Sequence, residues 1–257
     1  MSKKLLVFDL DDTLMWNSFS YSLAFQDFYN FLTNLWDRRI PYMGSVARLQ
    51  EDIDASLGTK TNPDTKEPYG FKMERFPTSL VLTYKQLCKD MNQPFMEEAA
   101  SQIYQIGMRT FREENYRHGM VAGASDVLEF LLKQEHFITL VTKGDERVQW
   151  AKIRALNIEG KMEEIHIVDK KTPELFCGIR ERIGTPAFDS FSVGNSYFSD
   201  IEPAIQAGFH GIYIPCPTWK AEKIPDNYDT SEVTTINNIS ELKNAIALND
   251  PTEGGKQ

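Results

Sequence analysis

Cysteine is scarce and positive charge is in deficit, and each shortage narrows what this chain can be. Cys88, Cys177 and Cys216 are odd in number and far apart. They have neither disulfide nor zinc-ligand spacing, so the expectation is reduced thiols in a cytoplasmic protein. Lysine and arginine total 28 against 37 aspartates and glutamates, a net charge of −9. That balance argues against nucleic acid as a partner, because non-specific binding to phosphate backbones needs a basic surface. It also requires any small anionic substrate to be captured by local positive groups against the overall field. Long apolar runs are missing too. No segment could span a membrane, and the run after Met1-Ser2-Lys3-Lys4 is too short for a signal peptide. There is no internal repeat and no low-complexity tract. His118, His136, His166 and His210 show no ligand spacing and read as structural or surface residues.

What the sequence does have is a carboxylate cluster at the end of an apolar run. Leu5-Leu6-Val7-Phe8 leads directly into Asp9-Leu10-Asp11-Asp12-Thr13-Leu14. A short unbroken apolar run reads as a strand buried on both faces, as in a parallel sheet. The acids then fall just past its carboxyl end, where open α/β sheets place their ligands. In an extended segment Asp9 and Asp11 point to the same side. Crowded carboxylates repel and raise one another's pKa unless a cation compensates. A hard divalent ion such as Mg2+, held by one or two carboxylates and several waters, meets that need. An aspartate at such a site is free to act as a nucleophile.

The parallel-sheet pattern then stops until about residue 120. Tyr21, Ala24, Phe28, Phe31, Leu32 and Leu35 share one helical face between Ser18 and Trp36, and Val46, Leu49, Ile53 and Leu57 repeat the pattern up to Gly58. Residues 58–70 read as a loop. Pro77 and Pro94 are each expected to open a further helix. The result is a helical insertion of roughly 100 residues, a plausible domain size.

From Gly119 onward helices and strands alternate, as βαβ units require. The expected helix over Ala124–Gln134 turns Val127, Leu128, Leu131 and Leu132 inward. Strands are expected at Phe137–Val141, Ile165–Val168, Phe191–Val193 and Gly211–Pro215, with a short one at Val233–Ile236. Helices begin near Asp145, Pro173 and Ile201, and a last one covers about Ile239–Leu248. The expected fold is α/β, a doubly wound parallel-sheet, Rossmann-like core with an inserted α-helical cap. Its parts are a core of 1–16 and 117–249, a cap of 17–116 and a mobile tail of 250–257.

Four strand ends carry polar motifs in a fixed order. They are Asp9-Leu10-Asp11-Asp12-Thr13, Thr142-Lys143-Gly144, Asp169-Lys170-Lys171-Thr172-Pro173 and Gly194-Asn195-Ser196-Tyr197-Phe198-Ser199-Asp200. In type and order they resemble the four motifs of the haloacid dehalogenase-like hydrolases, and the likeness spans the whole core. One departure stands out: Asn195 occupies a place where many members carry an acid.

The resemblance implies a mechanism and a ligand set. Asp9 would attack phosphorus to give an aspartyl-phosphate. Asp11 would protonate the leaving oxygen and later activate water. An acid at that position points to a phosphatase, since the superfamily's dehalogenases lack one there. Lys171, directly before an N-cap threonine and a proline at the first helical position, is preferred over Lys170 as the inward lysine that neutralises Asp9 and the phosphoryl group. Asp9, the Asp11 backbone carbonyl, Asp200 and Asn195 would hold Mg2+. Thr142 and the amides of Lys143 and Gly144, at a strand-to-helix turn, suit phosphate, although an ordinary threonine N-cap fits there equally. The expected function is magnesium-dependent hydrolysis of a small phosphorylated metabolite. Phosphonate cleavage, sugar-phosphate mutase action and non-catalytic binding of a phosphometabolite are the alternatives. The sequence specifies neither the substrate nor the oligomeric state.

Overall fold

The computed structural model describes residues 3–216 and 231–248, so the tail expected to be mobile lies outside the described residues. Two compact units divide the chain. The first comprises the described parts of Met1–Asn17, Tyr116–Lys143 and Gln149–Gln257, the second Ser18–Asn115 with Gly144–Val148.

The first unit is built on one parallel sheet. Its opening strand β1 (Leu5–Phe8) is buried along its whole length, as an apolar run at a sheet centre must be. The second unit contributes α1 (Ser18–Leu35), α2 (Met43–Leu57), α3 (Arg75–Asp90) and α4 (Glu97–Met108). Then follow α5 (Ala124–Lys133), β2 (Phe137–Lys143), α6 (Glu146–Ala155), β3 (Glu164–Val168), α7 (Pro173–Ile183), β4 (Ser190–Gly194), α8 (Glu202–Gln206), β5 (His210–Tyr213), β6 (Val233–Thr235) and α9 (Leu242–Leu248). The strand order is β3-β2-β1-β4-β5-β6, the doubly wound arrangement expected. β1 pairs in parallel with both β2 and β4, so the direction of winding reverses beside it. Such a switch point opens a crevice at the carboxyl ends of the strands.

Local signals explain most boundaries. Thr172 caps α7 by accepting the Leu175 N–H, Pro173 takes the first helical position, and Gly184 ends the helix at φ +79°. In the second unit Phe28, Leu32, Leu80, Tyr84 and Ile103 are almost wholly buried, and they share one core with Ala24, Trp36 and Val46. The phenolic oxygen of Tyr84 accepts the Met96 N–H, and Gln50 donates to the Ser79 hydroxyl inside that core. No helix among the described residues is long and apolar enough to cross a membrane.

Several local expectations are corrected. Pro77 is the third residue of α3 rather than its opener, a place where a missing N–H still costs nothing. Leu132 is 40% exposed, because the inward stripe of α5 is Ala124, Val127, Leu128 and Leu131. β2 runs on through Lys143, which pairs with Val168, so Thr142 lies within the strand and caps no helix. Asp145 does that work instead, its carboxylate accepting the Arg147 N–H.

Candidate active site

Asp9 follows β1 directly and stays in register with β4, donating its N–H to the Val193 carbonyl at 2.9 Å. The extended alternation ends there. Leu14 and Met15 both donate to the Leu10 carbonyl, and Asp12 adopts φ +58° with its carboxylate accepting the Asn17 N–H. Aspartate tolerates that left-handed conformation better than most residues. Asp9 and Asp11 therefore have different side-chain partners.

Asp9 meets Lys171. The ammonium is 2.6 Å from Asp9 Oδ1 and 2.6 Å from Asp200 Oδ1, and its side chain is 1% exposed. Lys170, by contrast, is exposed. Asp200 sits in a π-helical turn, Tyr197–Ile201, and its Oδ2 accepts the Ser196 N–H. Its carboxylate lies directly against the Cα of Gly194, where any Cβ would collide with it. The Ser192 hydroxyl fixes the same turn by donating to the Asp200 carbonyl.

Charge in this cluster is out of balance. Burial pushes Asp9 up to about 7; Lys171 pulls it back, while Asp200 and Asp11 push it further. Burial works against charge on Lys171 too, but Asp200 and Asp9 outweigh it and hold its pKa above the ordinary lysine value. One ammonium thus faces two buried carboxylates, with a third nearby.

The other predicted site residues are placed as follows. Asn195 directly follows β4 and is buried, its Oδ1 accepting the Thr13 hydroxyl at 3.3 Å. No hydrogen bond joins it to Asp9 or Asp200. Thr142 is buried in β2, and Gly144 takes φ +147° just beyond it. The Lys143 ammonium donates to the Ser199 hydroxyl, tying the end of β2 to the turn that carries Asp200.

Asp11 turns to residues that the sequence did not single out. Lys152 Nζ lies 2.8 and 2.9 Å from its two oxygens, and Gln149 Nε2 lies 3.0 Å from Oδ2. Both belong to α6. A lysine at that spacing looks like a solvated charge. Its only sequence signal was its place three residues after Gln149, on one helical face.

Among the described residues no three His, Cys, Asp or Glu side chains form a metal cage. The donor set is nonetheless suited to an open Mg2+ site, which needs only one or two carboxylates and keeps its waters. The surplus of buried negative charge at Asp9 and Asp200 is what such an ion would neutralise.

No family model matches the sequence, and no curated protein matches it significantly. Solved structures do match. A haloacid dehalogenase-like family hydrolase from Xanthomonas campestris is 20% identical, with 99% of each chain covered and a TM-score of 0.71. The HAD-hydrolase YfnB from Bacillus subtilis, bound to magnesium, is 20% identical over 96% of this chain and 100% of its own, with a TM-score of 0.61. A HAD phosphatase from Thermococcus onnurineus is 15% identical over 95% of this chain and 97% of its own, at 0.56. Haloacid dehalogenases also occur among the matches. The fold is therefore the one shared by haloacid dehalogenase-like hydrolases.

Proposed function

We propose that this protein is a magnesium-dependent phosphatase acting on a small phosphate monoester. The observation that carries the reading is the buried triad of Asp9, Lys171 and Asp200 at the switch point, with the Asp11 carboxylate close enough to act on Asp9. Asp9 Oδ attacks phosphorus while the ester P–O bond breaks, and the leaving oxygen takes a proton from the Asp11 carboxyl. A water then attacks the aspartyl-phosphate, Asp11 takes its proton, and Asp9 departs as a carboxylate with release of phosphate. Lys171 holds the Asp9 carboxylate in place and offsets phosphoryl charge. When bound by Asp9, Asp200, the Asp11 carbonyl and Asn195, Mg2+ supplies charge stabilisation for the transferring group. Thr142 and the Lys143 and Gly144 amides are the proposed phosphate contacts.

A haloacid dehalogenase has the same fold but does not need a proton donor two residues beyond its nucleophile; Asp11 favours the phosphatase. The test is turnover of 4-nitrophenyl phosphate with Mg2+, followed by a panel of phosphorylated metabolites, alongside 2-haloacids. Release of halide without release of phosphate would overturn the reading, and full turnover in excess chelator would remove the metal from it.

A further inference from the structure

The Asp11 carboxylate is held by two side chains of α6, and neither has another evident purpose. The Lys152 side chain is 3% exposed, and among the described residues the Asp11 carboxylate is the only acceptor its ammonium meets. Its ammonium also lies 5.9 Å over the Tyr116 ring. Gln149 is 2% exposed and its Nε2 divides between Asp11 Oδ2 and the Lys143 carbonyl, 2.7 Å away. Both neighbours are acceptors, which fixes the amide with its nitrogen toward them. Burying an ammonium costs several kcal/mol before pairing, and an apolar residue would anchor α6 at less cost. Helix packing does not account for a lysine there.

We infer that Lys152 and Gln149 are the positioning residues for Asp11, holding its carboxyl where it delivers the proton to the leaving oxygen. The inference rests on the phosphatase reading and deepens it. Asp11 lies at the start of a turn and its side chain is 19% exposed, so without the two donors it would sample other rotamers. Gln149 adds direction: it links the carboxylate to the carbonyl at the end of β2 and so ties Asp11 to the sheet. A general acid must lie within hydrogen-bond reach of the atom it protonates, and small misplacements are costly.

Aryl phosphates whose leaving groups differ in basicity separate this role from a merely structural one. Departure of 2,4-dinitrophenolate needs little protonation, whereas phenolate needs much. The ratio kcat/KM covers steps only through phosphoryl transfer, so water attack on the intermediate drops out. We expect Lys152→Met to lower kcat/KM for phenyl phosphate by roughly 10²- to 10³-fold, the scale of general-acid catalysis, and for 2,4-dinitrophenyl phosphate by less than about tenfold. Lys152→Arg should restore part of the phenyl phosphate activity. Gln149→Leu, which preserves packing, should steepen the leaving-group dependence in the same direction with a smaller loss. It also serves if Lys152→Met does not fold. Equal losses across the series in either folded variant, or no loss, would overturn the inference while leaving the phosphatase reading intact. A wild-type protein inert toward every ester would overturn both.

Discussion

The two ends of one parallel sheet bury lysine in opposite ways. At the amino end, Lys4 before β1 pairs with Asp189 before β4 at 3.2 Å, and the two side chains are 3% and 2% exposed. The Lys4 N–H donates to Nδ1 of His136, the residue before β2, and the Lys4 ammonium lies over the Phe191 ring. Burial, aided by Lys4, keeps the His136 pKa below its ordinary value, so the ring accepts as a neutral imidazole. Lys4 and Asp189 carry opposite charges and are paired there. At the carboxyl end Lys171 faces both Asp9 and Asp200, and Asp9 is pushed up to about 7 by burial and by its acidic neighbours. A closed pair fastens strands together; a surplus of one sign is a standing demand for a ligand.

The largest test of that contrast is Asp9→Asn. Removing the nucleophile should lower kcat by about 10⁴-fold or more. It also removes one of the surplus charges, so metal-free Asp9→Asn protein should melt no lower than the wild type. Substantial turnover in a pure folded sample would end the proposed mechanism.

At the other end, Lys4→Met leaves Asp189 buried without its ammonium and should cost roughly 3–5 kcal/mol in urea unfolding. Adding Asp189→Leu should recover most of that loss, and turnover per folded molecule should stay at the wild-type level. A fall in turnover of the folded fraction would show that the two ends are coupled.

Asn195→Asp sharpens the comparison by enlarging the surplus. Thr13 keeps an acceptor in this variant, while the site gains an anionic oxygen. Half-saturation by Mg2+ should fall by roughly 10- to 100-fold. An unchanged or higher requirement would mean that residue 195 does not face the metal.

The smallest effect belongs to a balanced group on the edge strand β3. Hydrogen bonding from Arg182, joined by His166, outweighs burial and lowers Glu164 to about 2. Its folded pKa lies below the unfolded one, so its contribution is complete above about pH 4.5 and is lost as pH falls toward 2. Arg182 is 52% exposed and screening is strong, so Glu164→Gln should cost less than about 1 kcal/mol at pH 7. Denaturant unfolding across that acidic range should give a flatter stability profile for the variant.

Much of this architecture was legible because it depends on local chemistry. Apolar runs gave the strands, and Thr172-Pro173 with Gly184 bounded α7. The choice of Lys171 over Lys170 followed from its place just before that cap, and the structure turns Lys171 inward. Lys152 and Gln149 were not legible. Their burial depends on Asp11, more than a hundred residues earlier, and the periodicity of α6 cannot say that a charged side chain points inward. Thr142 was misplaced at a helix start because no local signal shows that pairing with β3 carries β2 through Lys143. The turn at Asp12 is likewise a tertiary result, since Asp11 itself could have continued the strand.

The pairing of β1 also sets an order of assembly. Leu5 lies beside Phe137 on one side and Ser190 on the other, so the strand that carries Asp9 leaves the ribosome long before either neighbour exists. The helices of residues 18–115 make local contacts, which form quickly, while closing the sheet must wait for distant chain. Until β2 emerges Leu5–Phe8 is an unpaired apolar segment, the kind that seeds aggregation. Slowing translation before β2 should therefore lower the yield of soluble protein more than slowing it after β5.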